Sequence, residues 1–383
     1  FPQNVNKTMK FSQEYLQELK RRSSDPSLPK VEVDPRTGEY IYYDSHNWMN
    51  DLYKDNTYAV DHNISLSGKS DKTSYLLSAH YLDQPGLFRY NSDDFKMYNL
   101  RSKGAIELTD WLNIHNNTEF SKNIFNIPMN VGESGGIWSN IVAEGHPLVP
   151  MHNPDGTLTQ SAAYTVGDYV YGKNGMDYDR NVFRTMSGFH AKFFNNAFNI
   201  KGDFTYQNTN ANERRLRVPV PYSRIEGVVE YLGNQYNDIR EIQQNTQYLA
   251  SNLYADYEKT LNNHYFKGLV GYNYELSTFK RVGMERNGLI YEDAEDINLA
   301  LGESMATTGG YEQWNIMGGF FRLNYSYDDR YLVEVNGRYD GSSKFPQNER
   351  YALFPSVSAG WRVSKEEFWK VSPHVISDLK FRA

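Results

Sequence analysis

Across residues 314–363 the side chains change character at every second position, a rhythm that only an extended chain can use. In one segment Tyr331, Val333, Val335, Gly337 and Tyr339 alternate with Leu332, Glu334, Asn336, Arg338 and Asp340. The next sets Tyr351, Leu353, Val357, Ala359, Trp361 and Val363 against Ala352, Ser356, Ser358, Gly360 and Arg362. The preceding one opposes Phe321, Leu323, Tyr325 and Tyr327 to Arg322 and Asn324, and Asp328-Asp329-Arg330 supplies a tight turn between two of the three. A soluble sandwich would alternate too, so face chemistry decides. The strands read at about ten to fourteen residues against a usual five or six, long enough for a tilted membrane crossing. Their apolar face carries aromatic residues at its ends and small or aliphatic ones between, as a lipid-facing band does. A dry core could not bury Glu334, Arg338 and Arg362 unpaired, whereas a wet barrel lumen accepts them.

The same two-faced pattern begins at Tyr58, with Val60, His62, Ile64 and Leu66 opposed to Asp61, Asn63, Ser65 and Ser67, and it recurs in 198–207 and 266–276. About eleven complete strands and the start of a twelfth result. Short turns are read at Ser70-Asp71, Thr109-Asp110, Asn195-Asn196, 261–263 and 328–330, and long loops at 84–93, 126–179, 209–243, 280–313 and 341–350. Short and long alternate without exception in this reading, which is the asymmetry between the periplasmic turns and extracellular loops of an outer-membrane barrel. Trp111, Phe198, Phe266, Tyr327, Tyr331 and Trp361 fall near the short-turn rim, as an aromatic girdle would. Residues 1–57 are expected to be an irregular extracellular segment leading into the barrel, with a short helix near 12–20 and a small hairpin turning at 34–38.

Composition removes several function classes. No apolar run approaches the eighteen or so residues of a membrane helix, which leaves a strand-based crossing open. A net charge of −7 offers no basic stripe, so nucleic acid is not expected as a partner. With no cysteine there is neither thiol catalysis nor a zinc-thiolate site. Asp293, Glu295 and Asp296 offer carboxylates to calcium but match no calcium-loop spacing, so they read as a solvated acidic loop. Asn153-Pro154-Asp155-Gly156 reads as a turn. No pair of carboxylates has a spacing that marks a glycosidase, and no catalytic, cofactor or metal residue is assigned. In the loops, Trp138, Tyr164, Tyr169, Tyr171, Tyr231 and Tyr236 are candidate substrate contacts through ring stacking; packing of the loops on one another is the competing reading for each.

Several stretches then become familiar. They are Trp48-Met49-Asn50-Asp51-Leu52-Tyr53 followed by His62-Asn63-Ile64-Ser65-Leu66-Ser67-Gly68, and Tyr81-Leu82-Asp83-Gln84-Pro85-Gly86. With them come Gly337-Arg338-Tyr339-Asp340-Gly341-Ser342-Ser343-Lys344-Phe345, Arg350-Tyr351-Ala352-Leu353-Phe354-Pro355-Ser356 and Gly360-Trp361-Arg362. In order and spacing they resemble the SusC/RagA-type TonB-dependent outer-membrane transporters of Bacteroidetes. The resemblance implies an all-β antiparallel transmembrane barrel of about twenty-two strands with a plugged lumen, of which roughly half is present here. It also implies a SusD-like surface lipoprotein as a lid, energy from TonB through an N-terminal segment, and an oligosaccharide or oligopeptide as cargo. Plug domain and closing strands are not found, and an open sheet edge is not viable in lipid. The chain is therefore expected to be one piece of a longer polypeptide. Two other readings remain at this level, a secreted soluble β-rich carbohydrate-binding or hydrolytic protein and a passive porin.

Overall fold

The computed structural model of the chain describes residues 13–43, 47–129, 148–372 and 374–383. Helix α1 (Gln13–Ser24) precedes a hairpin of β1 (Val31–Val33) and β2 (Tyr40–Tyr42) and a short helix α2 (Trp48–Leu52). Strands β3 (Val60–Lys69), β4 (Thr73–Pro85), β5 (Asp94–Thr109) and β6 (Leu112–Pro128) follow, then α3 (Gln160–Tyr171), β7 (Gly175–Phe193) and β8 (Phe198–Arg217). A second hairpin, β9 (Val220–Ile225) and β10 (Val228–Leu232), leads to β11 (Asp238–Leu261), β12 (His264–Asn287), β13 (Met305–Tyr327), β14 (Tyr331–Ser342), β15 (Tyr351–Arg362) and β16 (Lys380–Arg382). Twelve strands, β3–β8 and β11–β16, form one antiparallel sheet in chain order, with only the β9–β10 hairpin set outside it between β8 and β11. Eleven of these are long and the twelfth, β16, covers three residues, in agreement with the expected strand count.

Register fixes the faces, because residues directly opposite in an antiparallel ladder share a side. The row His264, Tyr327, Tyr331, Trp361 and Phe381 runs strand to strand along the short-turn rim. Its rings touch, at 4.9 Å for His264 and Tyr327, 6.4 Å for Tyr327 and Tyr331, and 6.4 Å for Trp361 and Phe381. Above that row on the same face stand Val333, Leu353 and Val357, exposed by 41%, 62% and 69%, so the aliphatic residues are outside and not in a dry centre. The other face is a hydrogen-bonded polar net. Asn324 and Asn336 donate to the two oxygens of Glu334 (2.6 and 2.7 Å), Arg322 donates to Asn336 (2.7 Å), and Asn252 bridges from Asn273 to Asp203 (2.8 and 2.9 Å). Such bonds to ionised carboxylates are each worth about 1.5–3 kcal/mol, enough to hold the wall polar and ordered.

Three features depart from the sequence reading. First, β11 and β12 each run 24 residues, more than twice the nine to eleven or so that a tilted crossing needs. On β8 the outward residues Phe198, Ile200, Phe204 and Tyr206 give way to Asn208, Asn210 and Asn212, while the ladder continues to Arg217. Two-sided polarity erased the alternation at the end of β8, which is why 209–217 read as loop. Second, the connection after β15, residues 363–379, is long although it lies at the short-turn rim. Third, the outward face of β5, β6 and β7 holds Ser102, Asn116, Thr118, Thr185 and Ser187 at mid-height. These polar groups satisfy one another: Asn116 donates to Thr185 Oγ1 (3.1 Å) and Ser187 Oγ (2.9 Å), and Thr118 donates to Asn116 Oδ1 (2.9 Å). Internal pairing is what makes them tolerable in hydrocarbon.

Candidate functional site

The long-loop end carries a crown of packed segments with its own hydrophobic core. Thr159 starts α3 by accepting from Ala162 N, and Gly172, at φ 76°, ends it with its N–H on Asp168 O. Ala162, Ala163, Val166 and Tyr169 form the buried stripe of that helix, spaced as one helical face. Against it pack Trp48 and Leu52 of α2, Phe88, Met151, Leu158 and Val220. Rings interlock at 5.1 Å for Tyr53 and Phe88 and 4.9 Å for Phe88 and Tyr169. Gly167 lets β9 approach, since a Cβ there would sit 2.7 Å from Val220 Cγ1.

Buried polar groups stitch the crown together. Asn153 donates to Thr157 Oγ1 (2.9 Å), Leu158 O (3.3 Å) and Ser223 O (2.9 Å) and accepts from the Tyr42 hydroxyl (2.6 Å). Burial pushes the Tyr42 phenol up to about 12. Asp155 accepts from Thr157 and from Tyr40, which lowers its carboxyl. The turn expected at 153–156 is present, with Gly156 at φ 87°. Asn174 donates to Asp168 Oδ1 and to Val218 O (2.9 Å) and accepts from Val218 N (2.5 Å). The N-terminal segment docks on this unit. Arg224 pairs with Glu39 (3.2 Å) and Glu230 (2.7 Å), the Tyr15 hydroxyl donates to Tyr42 O (2.5 Å), and Arg22 lies 4.1 Å over the Tyr43 ring. In α1, Arg21 and Arg22 hold the Glu18 carboxyl down at about 2.

Below the crown an ion-pair cluster stands on the inward face of β8, β11 and β12, above the apolar band. Asp238 accepts two bonds from Arg217 (3.0 and 2.7 Å) and one from Arg215 (3.3 Å), and Arg215 also meets Glu285 (2.9 Å). The Arg217 guanidinium lies 4.3 Å over the Tyr236 ring, and Arg240 pairs with Glu213 (2.6 Å). Lower on the same face an open recess of about 420 Å³ is lined by Tyr265, Lys267, Asn324, Glu334, Lys380 and Arg382, among others. Arg338 chelates Asp340 and covers the Phe320 ring at 5.3 Å.

The candidate stacking residues divide. Tyr164 and Tyr231 are exposed by 39% and 49%. Tyr171 is tied by its hydroxyl to Glu292 (2.5 Å), and burial together with that carboxylate raises its phenol. Tyr236 is covered by Arg217. Tyr169 is a correction: it is 7% exposed and spent on the crown core, because its place on the buried stripe of α3 leaves no ring face for a ligand. Trp138 lies outside the described residues. Glu334 and Arg338 stand on the face opposite Val333 and Val335, and Arg362 sits at the rim, paired with Asp329 (2.5 Å) and Asp378 (3.4 Å). Of the acidic loop, Asp293 pairs with Lys173, and Asp296 caps a 3₁₀ turn through Asn298 N (2.8 Å). Reading 126–179 as loop passed over α3, whose signal was Thr159 followed by small and aliphatic residues at helical spacing and Gly172.

Residues 143–383 match the family described as TonB dependent receptor-like, beta-barrel. The TonB-dependent receptor P26 of Formosa agariphila is 27% identical over 91% of this chain and 34% of its own length. The TonB-dependent receptor SusC of Bacteroides thetaiotaomicron is 26% identical over 88% and 34%. The chain thus spans about a third of the length of these curated relatives. In solved structures it superposes on the RagAB peptide importer in its closed-closed state with a TM-score of 0.70, at 18% identity over 94% of this chain and 39% of that one. It also superposes on the open-open state, with a TM-score of 0.70 over 100% and 41%.

Proposed function

Because the chain belongs to the TonB-dependent receptor β-barrel family of Gram-negative outer membranes, we propose that it supplies half the wall and much of the extracellular crown of an energised importer for a large solute. Its partners in this reading are a SusD-like surface lipoprotein and TonB, the latter engaged through a segment outside these residues. The family is one of receptors and transporters, so the residues named above bind and guide; none breaks a bond. A single observation carries the reading: a charged, hydrogen-bonded inner face continues from the rim up toward an aromatic crown with its own core. A wet wall of that kind lets a polar cargo pass, and a crown with its own core gives a lid a fixed surface to close on.

Oligosaccharides and oligopeptides are the cargo classes that suit this wall. Both present hydroxyl or amide groups to Glu334, Asn324 and the Arg215–Asp238 cluster, and both offer faces for Tyr164 and Tyr231. Uptake of labelled oligosaccharides and oligopeptides by cells carrying the full-length gene, its deletion, or the gene without TonB tests this. The expected outcome is one class lost in both deficient strains, with a lipoprotein co-purifying with the receptor. Uptake that persists without TonB would replace the importer with a passive pore, and a product recovered in the soluble fraction would exclude both.

A further inference from the structure

The 363–379 connection is clasped to the neighbouring turn and leaves four apolar side chains exposed. Asp329 takes both Arg362 (2.5 Å) and Lys365, Arg330 reaches Glu366 (3.1 Å), Trp361 Nε1 donates to Glu366 Oε1 (2.9 Å), and Ser364 donates to Asp378 (2.8 Å). Backbone bonds join Arg362 N to Arg330 O (2.7 Å) and Ser364 N to Leu379 O (3.3 Å). The first half of the segment is thereby held against the rim. Trp361 belongs to the lipid-facing aromatic row, and the Phe368 ring packs on it at 6.4 Å, which places Phe368 on the lipid side of the wall. Phe368 is 62% exposed, and beyond it Val371, Val375 and Ile376 are exposed by 38%, 76% and 38%, with Lys370 exposed beside them.

We propose that 363–379 is an interfacial anchor, lying in the periplasmic leaflet with Phe368, Val371, Val375 and Ile376 among the upper acyl chains and Lys370 at the phosphates. Continuity carries the choice of lipid as occupant: Phe368 packs on Trp361 and so extends the aromatic row outward from the rim, where a protein partner in the lumen would require it turned inward. Aromatic and aliphatic side chains with charged neighbours, here Glu367 and Lys370, are what the interface of a phospholipid leaflet accepts. A clasp of ion pairs at the base fixes the depth at which the segment enters. The inference rests on the barrel's orientation in the outer membrane and is independent of what the barrel carries.

The full-length receptor reconstituted in phosphatidylethanolamine and phosphatidylglycerol nanodiscs tests it. Single Val375→Cys, Phe368→Cys, Val357→Cys and Ser356→Cys variants carry an environment-sensitive fluorophore, with brominated lipids and aqueous iodide as quenchers. Heat-modifiable migration confirms that each variant is a folded barrel. Val375 and Phe368 probes should be quenched by lipid as strongly as Val357, most steeply by bromine near the glycerol, while Ser356 is not. If Val357 is quenched and Val375 and Phe368 respond only to iodide, or to neither quencher because protein covers them, the anchor is overturned and the barrel stands. If Val357 itself escapes lipid, the membrane-facing assignment falls and the anchor with it.

Discussion

Replacing Asp238 by alanine isolates the energetics of the inward ion-pair cluster. Asp238 is 6% exposed and accepts three bonds, two from Arg217 and one from Arg215. Removing one partner of a buried pair costs about 3–5 kcal/mol, because the other charge is left desolvated. Here Arg215 and Arg217 keep Glu285 at 2.9 and 3.5 Å, which places the expected loss at the lower end, about 3 kcal/mol. The ladder of β8, β11 and β12 extends beyond the apolar band at this height, so the loss should appear as local opening and not as failure of the barrel. At 1.4 kcal/mol per tenfold, amide exchange at Arg215, Arg217, Asp238 and Arg240 should accelerate by roughly a hundredfold, with Leu253 unchanged. Asp238→Ala with Glu285→Ala should move further, toward about 5 kcal/mol. Acceleration of less than about threefold in both variants would refute the reasoning, since the guanidinium groups would then be solvated without their carboxylates.

Other perturbations follow from the same geometry. Asn153→Ala leaves two carbonyls and the Tyr42 hydroxyl short of a partner, and should weaken the crown by about 1–3 kcal/mol, read as faster proteolysis of the 148–172 segment in intact barrels. Gly167→Val forces atoms into Val220 and should cost about 1–3 kcal/mol in the same assay. Val357→Arg puts a charge on the lipid-facing band and should lower barrel stability in urea by about 2–4 kcal/mol, against little change for Ser356→Arg on the inner face. For pH, the Glu18 carboxyl is depressed from 4.5 to about 2, so its contribution to α1 is complete above about 4.5 and fades as the pH falls toward 2; hydrogen exchange of 14–24 should accelerate across that window and stay flat above it.

Alternation of side chains by itself determined the class of this protein. Tyr331 to Asp340 sort their apolar and polar residues onto opposite sides whatever the neighbours do, because successive residues of an extended chain point opposite ways. From that local rule follow the strands, their number, the aromatic rim and the face that meets lipid. What only the tertiary structure decided lies where no period operates. Asn208, Asn210 and Asn212 continue the ladder with no apolar face to announce it, and Arg217 finds Asp238 across a hairpin. Trp48 and Leu52, in a segment that reads as irregular, meet α3 more than a hundred residues onward to complete the crown. Tyr169 and Tyr164 look alike as loop tyrosines, and only the packing of their helix sends one into the core and leaves the other partly exposed at the surface. Such choices depend on which distant surfaces arrive together, and contacts between distant segments leave no regular spacing to read.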